Sequence, residues 1–365
     1  MVNQHATAAL PQEWWSTAFA DGIKFIGHTC LVLSPWRDPL PLTRAWCLWE
    51  ILKTVESSGA TLTIQLPPSE AASFEQALRR DFDSIATSLS KIDVRRAEAF
   101  KEEDRRMIHT AVEAGVGFTA LNQVVSGELR EWLAAEARAA LARLPAEERG
   151  TSVLLGCVAA MLYEQGKLAE AKPLMEEYMQ GCRATLGNYH PETLTSINNM
   201  ALLLMDMGEL EEAKPLMEEA LQGRKETLGA RHPDTLTSIN NMGSLLKAMG
   251  ELAEAKPLLE EALQARKETL GARHPRTLTS VNNLAMLLKA MGELAEAKPL
   301  FEEALQGSRE VLGNEHPDTL DSMYNLADML RTMGQRTEAL TLLRELQAVD
   351  GDDDLLAEIR ELEAM

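Results

Sequence analysis

The chain has 365 residues, of which 45% are hydrophobic and 25% are charged, values that are typical of globular proteins with a sizeable core. Its formal net charge of -20 at pH 7 disfavours nucleic acid and anionic lipid as partners, because both are polyanions. The four cysteines show no CxxC spacing, which disfavours a disulfide framework or a zinc site. We therefore expect no metal and no cofactor.

The sequence also bears on localisation. The first residues, MVNQHATAALPQEWW, lack a basic segment followed by an apolar one, so no secretory signal is predicted. No apolar run approaches the ~20 residues that a membrane-spanning helix needs. We expect a cytoplasmic protein that does not bind membranes.

Residues 1–68 form the first predicted segment. Within it AFADGIKFIG predicts a helix, TCLVLSPW a short buried strand, LTRAWCLWEILKTVES a second helix, and TLTIQLP a second strand. A strand, a crossover helix and another strand of these lengths predict a parallel βαβ unit. Two strands make a marginal sheet, so the segment reads as part of an α/β domain.

This segment resembles the latter part of a TIR domain, a flavodoxin-like fold in which a strand ending in Ser leads to a WCLxE helix. The matching residues are Ser34 and then Trp46, Cys47, Leu48 and Glu50. The resemblance implies that Glu50 is the counterpart of the glutamate that cleaves NAD in some TIR proteins, where it would stabilise positive charge on the ribose.

Two departures favour the alternative, in which Glu50 is only a polar helix residue and the protein has no catalytic site. The insertion WRDPLPLTRA separates Ser34 from Trp46, and the first strand of a TIR domain is missing. That second departure also predicts a truncated gene model.

Residues 69–148 are charged and show helical spacing, as in RRAEAFKEEDRRMIHTAVE. They predict a helical connector that joins the α/β segment to the rest of the chain.

From residue 149 to residue 348 the sequence repeats itself. The interval is 42 residues, and it is kept by His-Pro pairs, by glycines and by the string LxEAKPL. The His-Pro pairs begin at His190, His232, His274 and His316.

Each repeat predicts two helices, because Pro inside a helix start and Gly past a helix end are typical punctuation. In one repeat the first helix begins at Pro233 and ends before Gly250, and the second extends from Leu252 to Leu270. One such pair cannot cover its own apolar face, so five pairs should stack into a solenoid. Residues 349–365 predict an acidic tail with a capping helix.

The string HPDTLTSINNMGSLLKAMGELAEAKPLLEEAL, from His232 to Leu263, resembles the tetratricopeptide repeats (TPRs) of kinesin light chains. The resemblance implies a mostly α protein, with a right-handed TPR solenoid of five pairs that binds a partner peptide in its concave groove. No heptad pattern persists over ~3 to 4 heptads, so the coiled coil that would bind a kinesin heavy chain is not predicted.

In TPR arrays the first helix of each pair lines the groove. The second asparagine of each pair matches the position at which related arrays hold a ligand's backbone, and an amide suits that task because it both donates and accepts. These residues are Asn199, Asn241, Asn283 and Asn325. Residues seven apart share a helix face, which pairs Asn240 with Lys247, Asn282 with Lys289, and Tyr324 with Arg331. A basic stripe of Lys247, Lys289 and Arg331 would favour acidic ligands.

Each of these assignments has a structural alternative. The asparagines could satisfy the loop of the preceding repeat, and the lysines could lie on a solvated face. The histidines fit a structural loop role better than metal binding. We predict a non-enzymatic scaffold that binds an acidic or extended peptide, and the alternative is a TIR-like NAD hydrolase whose TPR array senses a partner.

Overall fold

The computed structural model describes residues 12–37, 39–90, 93–350 and 353–364. It divides into two compact units, Met1–Tyr178 and Met179–Met365.

The first unit contains the predicted parallel βαβ segment. Strands β1 (His28–Val32) and β2 (Thr61–Gln65) pair in parallel, with His28 opposite Thr61, and helix α2 (Ala45–Glu56) connects them. Helix α1 (Gln12–Ile26) precedes β1. Among the described residues the sheet consists of these two strands. The predicted topology is confirmed.

The rest of the first unit is helical, as the sequence predicts for residues 69–148. An aromatic cluster joins the βαβ segment to these helices: Phe74 lies 5.1 Å from the ring of Trp36 and 5.1 Å from the ring of Trp132. The helices are α3 (Pro68–Arg80), α4 (Phe82–Ser90), α5 (Glu102–Ala114), α6 (Gly117–Ala142), α7 (Ala146–Arg149) and α8 (Val153–Glu164). The limits of the predicted domains stay a prediction.

Helical pairs make up the second unit. Helix α9 (Leu168–Leu186) crosses the boundary between the units, and α10 to α17 follow as four first-and-second helix pairs in the described chain, after α8 and α9 in chain order. The first helices of the last four pairs are α10 (Pro191–Asp206), α12 (Pro233–Ala248), α14 (Pro275–Ala290) and α16 (Pro317–Thr332). Their second helices are α11 (Leu210–Leu228), α13 (Leu252–Leu270), α15 (Leu294–Leu312) and α17 (Arg336–Asp350).

Histidine, proline and glycine set the ends of these helices. The Nδ1 atom of His232 accepts a hydrogen bond from the backbone N–H of Asp234, and Pro233 occupies the first helical position of α12. The same cap recurs at His190, His274 and His316. Gly271 ends α13 with a φ of 89°, a backbone conformation that residues other than glycine rarely adopt. The structural role predicted for the histidines is confirmed.

Small and branched apolar side chains fill the space between the helices. On α12 the side chains of Leu236 and Ile239 are buried, and on α13 Ala255 and Ala262 have no exposed surface. The alanines allow the paired helices to approach closely. Helices α11, α13 and α15 also pack on the first helix of the next pair, which gives the stacking that the repeat predicts.

Two buried arginines connect three helices each, a feature that the sequence analysis missed. Arg266 on α13 donates to the hydroxyl of Thr237 on α12 at 3.1 Å, and to the hydroxyl of Ser280 on α14 at 2.7 Å. Arg224 makes the equivalent bonds one repeat earlier, to Thr195 and Ser238. Neither arginine forms an ion pair with a carboxylate of the described chain, and hydroxyl and carbonyl oxygens accept their hydrogen bonds.

Helix α18 (Asp353–Ala364) follows the last pair and packs against α17. Its side chains Leu355, Ile359 and Leu362 are buried, so it covers an apolar face that the last repeat would otherwise expose. The capping role of residues 349–365 stays a prediction, and the contacts of α18 are consistent with it.

The histidine caps can be tested at His232. We expect His232→Ala to lower the free energy of unfolding by about 1 kcal/mol, because the first turn of α12 loses an acceptor. His232→Asn is the matched control, since an asparagine side chain can accept the same bond, and it should restore most of the stability. Urea denaturation monitored by circular dichroism measures both variants. An equal loss in the two variants would contradict the capping role.

A second prediction concerns the first turn of α14. Burial, together with the nearby charge of Arg276, lowers the pKa of Arg266 to about 10. The other three first helices carry an acidic residue where α14 has Arg276. We expect Arg276→Asp to raise the free energy of unfolding by about 0.5–1 kcal/mol, because it removes this repulsion and places a negative charge at a helix N-terminus.

Arg276→Gln is the control, since it removes the repulsion and adds no negative charge. It should give a smaller gain, and the gain from Arg276→Asp should shrink in high salt. Thermal denaturation at low and high salt distinguishes these outcomes, and a destabilised Arg276→Asp variant would refute the prediction.

Candidate functional site

The first helices α10, α12, α14 and α16 contact one another along the second unit. We call the surface that they share the first-helix face. It is formed by the second asparagine of each helix, by the residue three positions after that asparagine, and by the basic stripe residues or their equivalents in the last turn. The residues predicted to bind a ligand therefore lie in one continuous row of helices.

Amide groups link neighbouring first helices. The Nδ2 atom of Asn241 donates to Oδ1 of Asn198 at 3.2 Å, and Nδ2 of Asn325 donates to Oδ1 of Asn282 at 3.4 Å. Asn198 is buried, so this bond satisfies an acceptor that water cannot reach. The structural alternative applies at these positions, but the partner is the preceding first helix rather than a loop.

The link between α12 and α14 is different. Here Oδ1 of Asn240 accepts a hydrogen bond from the hydroxyl of Ser280 at 3.3 Å. This leaves the half-buried amide of Asn283 without a hydrogen-bond partner among the described residues, and the exposed amide of Asn199 is in the same state. Two of the four second asparagines are therefore available to a ligand.

Acidic side chains neutralise most of the basic stripe. The ammonium of Lys289 pairs with the carboxylate of Asp328 on the next first helix. Arg331 donates to the same carboxylate at 2.8 Å and to Oε1 of Glu358, on α18, at 3.1 Å. Burial raises the pKa of Asp328, but the hydrogen bonds from Lys289 and Arg331 outweigh that effect and hold it below its usual range.

Lys247 is the exception in the stripe. Its Nζ atom lies 3.8 Å from the thioether sulfur of Met286, and within the part of the chain that the structure describes it has no acidic partner. Burial alone lowers the pKa of Lys247. The side chain is thus a half-buried cation that faces an apolar neighbour, at the position where Lys289 faces an aspartate.

Tyr324 replaces the first asparagine in the last pair. Its side chain is 40% exposed, so the first-helix face ends in an accessible phenol. The charge of Glu358 raises the pKa of Tyr324, and burial and Asp328 add to that effect.

Glu50, the residue predicted from the TIR resemblance, is half-buried on α2. Burial raises its pKa, and the charge of Arg44 acts in the opposite direction. The hydroxyl of Ser34 is engaged elsewhere, since it donates to Oε1 of Glu70 at 2.6 Å. NAD cleavage through Glu50 stays the untested alternative to a non-enzymatic protein.

Two further properties concern the described chain as a whole. In residues 12–37, 39–90, 93–350 and 353–364, no three His, Cys, Asp or Glu side chains come together in a way that could hold a metal ion. None of the helices described there is both long enough and apolar enough to cross a membrane.

Comparison with known families identifies the repeats. Models of the tetratricopeptide repeat match residues 151–192, 195–268, 237–309 and 276–350, which together span more than half of the chain. The chain belongs to the tetratricopeptide-repeat family. The TPR fold that the repeats predict is thereby confirmed.

Solved TPR structures resemble this protein. One has nearly identical TPR-like repeats and comes from a Podosopora anserina protein described as a kinesin light chain. It is 30% identical, with a TM-score of 0.45, over 57% of this chain and 97% of that one. BtubC (BKLC) from P. vanneervenii is 19% identical, with a TM-score of 0.47, over 60% and 87%. A thermophilic TPR protein from Thermus thermophilus is 19% identical, with a TM-score of 0.42, over 60% and 100%. A search of curated proteins gave no significant match.

The ion pairs of Asp328 with Lys289 and Arg331 lead to a prediction of how stability depends on pH. The folded-state pKa of Asp328 lies below its usual value, so its contribution to stability is complete above the usual value and is lost as the pH falls through the folded one. We expect Asp328→Ala to lower the free energy of unfolding by about 1 kcal/mol at neutral pH, with a loss that narrows below about pH 4.

Urea denaturation of the wild type and the Asp328→Ala variant, from neutral pH to below about pH 4, checks this expectation. Asp328→Asn keeps the shape of the side chain and should show a smaller loss with the same pH dependence. A loss from Asp328→Ala that does not change with pH would mean that charge is not its cause.

Proposed function

We propose that this TPR protein is a non-enzymatic scaffold that binds an extended acidic peptide on its first-helix face. Membership of the TPR family supports a role in protein binding, because helical repeats present extended surfaces to their partners. The observation that carries the acidic preference is Lys247, a half-buried cation with no acidic partner in the described chain.

A carboxylate is the natural ligand for Lys247. Burial has already removed part of the hydration of its ammonium, so an ion pair formed there is stronger than one formed in open water. Lys289 and Arg331 already pair with Asp328 within the protein, so their charges are less available to a ligand. We therefore assign the preference for an acidic ligand to Lys247 on the first-helix face.

The main chain of the ligand has a partner close to that point. Asn283 precedes Met286 by one turn of α14, and Met286 contacts Lys247. Residues three apart on a helix are neighbours, with about 5–6 Å between their Cβ atoms. The free amide of Asn283 can thus donate to and accept from a peptide backbone whose side-chain carboxylate reaches Lys247.

The overall charge adds selectivity. A net charge of -20 repels acidic peptides in general, so binding requires a local contact that outweighs this repulsion. We expect the protein to bind peptides that place a carboxylate at Lys247 and to reject acidic peptides that cannot.

This proposal is tested with fluorescein-labelled libraries of short extended peptides, one enriched in Asp and Glu and the other in Asn and Gln. We expect the full-length protein to bind the acidic library in fluorescence anisotropy, and Lys247→Ala to weaken binding about tenfold, which corresponds to ~1.4 kcal/mol. The matched control is Lys256→Ala, which removes a lysine of α13 that pairs with Glu293 at 2.6 Å.

The control variant should bind the acidic library as the wild type does. Equal binding of the two libraries, or equal losses in Lys247→Ala and Lys256→Ala, would refute the assignment of the ligand to the first-helix face at Lys247.

A further inference from the structure

This inference rests on the proposed function and concerns which peptides the first-helix face selects. Across neighbouring first helices, a residue in the last turn of one helix faces the residue 39 positions later, and we call each such pair a rung. Lys247 with Met286 forms one rung, and Lys289 with Asp328 forms the next. The 42-residue repeat places Met205 and Ser244 in the preceding rung.

The rungs differ in what they offer a ligand. The Met205 rung is uncharged, and both of its side chains are half-buried. Leu202 lies one turn before Met205 on α10 and is also half-buried. Methionine is flexible and polarizable, so it adapts to apolar groups of different shapes. The open cation of the Lys247 rung thus has an apolar neighbour on its N-terminal side.

On the C-terminal side of Lys247 the basic residues of the face are already paired with acidic side chains; we call these rungs closed. Asp328 compensates the charge of Lys289, and Arg331 is shared between Asp328 and Glu358. A peptide that lies across the face therefore meets an apolar contact, then a free positive charge, and then neutral ion pairs.

Helix spacing converts this order into a spacing along the peptide. The first helices contact one another, and helices in contact generally lie about 8–10 Å apart, so we take this range as the spacing of neighbouring rungs. In a polyproline II chain the side chain at i+3 returns to the same side as that at i after about 9 Å. In a β-strand the side chains that share a face are two or four residues apart, at about 7 or 13 Å. The polyproline II spacing fits the rungs, whereas the strand spacings do not.

We propose that the ligand is a peptide segment in polyproline II conformation that carries an apolar and an acidic side chain three residues apart. The apolar side chain contacts Met205 and Leu202, and the carboxylate pairs with Lys247. The distance between successive first helices thus sets the sequence pattern that the protein recognises.

The test uses labelled peptides with one Leu and one Glu in a background of Ser and Pro, at separations of one to five residues and in both orders. A peptide with Glu alone is the reference. We expect the separation of three, in one of the two orders, to bind the full-length protein at least fivefold more tightly than the separations of two and four. Fluorescence anisotropy measures each dissociation constant.

Variants of Met205 test whether the apolar rung causes the preference for a separation of three. Met205→Ser should remove the advantage of the separation of three, so that this peptide binds no more tightly than the Glu-only peptide does to the same variant, whereas Met205→Leu should keep the advantage. Met333→Ser is the control, because Met333 lies beyond α16 at the far end of the closed rungs and should not affect it. Circular dichroism verifies that each variant is folded.

The outcomes separate the two proposals. If peptides bind through Lys247 but the separation of Leu and Glu has no effect, the spacing rule is wrong and the proposed function stands. If no acidic peptide binding depends on Lys247, both are wrong. A preference for a separation of two or four would show that the ligand binds as a strand, which also overturns the inference.

Discussion

The structure of the second unit depends on one constraint, which is that a pair of amphipathic helices cannot bury its apolar surface alone. Each pair must cover the next, so the apolar side chains at the contacts recur with the 42-residue repeat. The buried guanidinium groups of Arg224 and Arg266 show how strict this is, because each needs hydroxyl partners from two other helices at once. At the C-terminal end the same constraint is met by α18, which covers a face with no further repeat to pack on.

The candidate site lies where neighbouring repeats differ in one side chain. Where the pattern is complete, its polar groups satisfy one another, as Asn241 does with Asn198 and Lys289 with Asp328. Where the next helix presents no matching group, a polar side chain is left without a partner. The equivalent positions of the four first helices carry Leu202, Ser244, Met286 and Asp328, so of these four only the last offers a carboxylate, and Lys247 has no acidic partner in the described chain. A binding site in such an array can therefore be created by a change in one repeat, without altering the fold.

Much of the fold could be predicted from the sequence, because proline, glycine and the His-Pro pairs mark the helix ends directly. The βαβ segment was predictable for a similar reason, since its short strands alternate with a helix of crossover length. Whether a polar group on the first-helix face is free or engaged was not predictable, because that depends on residues about 40 positions away. Lys247 and Lys289 look alike in sequence and differ only in the residue that the next helix presents. A comparison of positions 39 residues apart would have found this difference.

The ion pair between Arg331 and Glu358 has a consequence for how such an array can change in length. Glu358 belongs to a helix outside the repeats, so the terminal cation is closed by a residue that does not move when whole repeats are gained or lost. Duplication of an internal unit would lengthen the array and leave its C-terminal boundary unchanged. Recombination between similar repeats could then add a second copy of the open cation one helical pair away. Under the proposed function, such a duplication would give two sites for a carboxylate on one chain, and two linked sites raise the overall affinity without any new contact at either one.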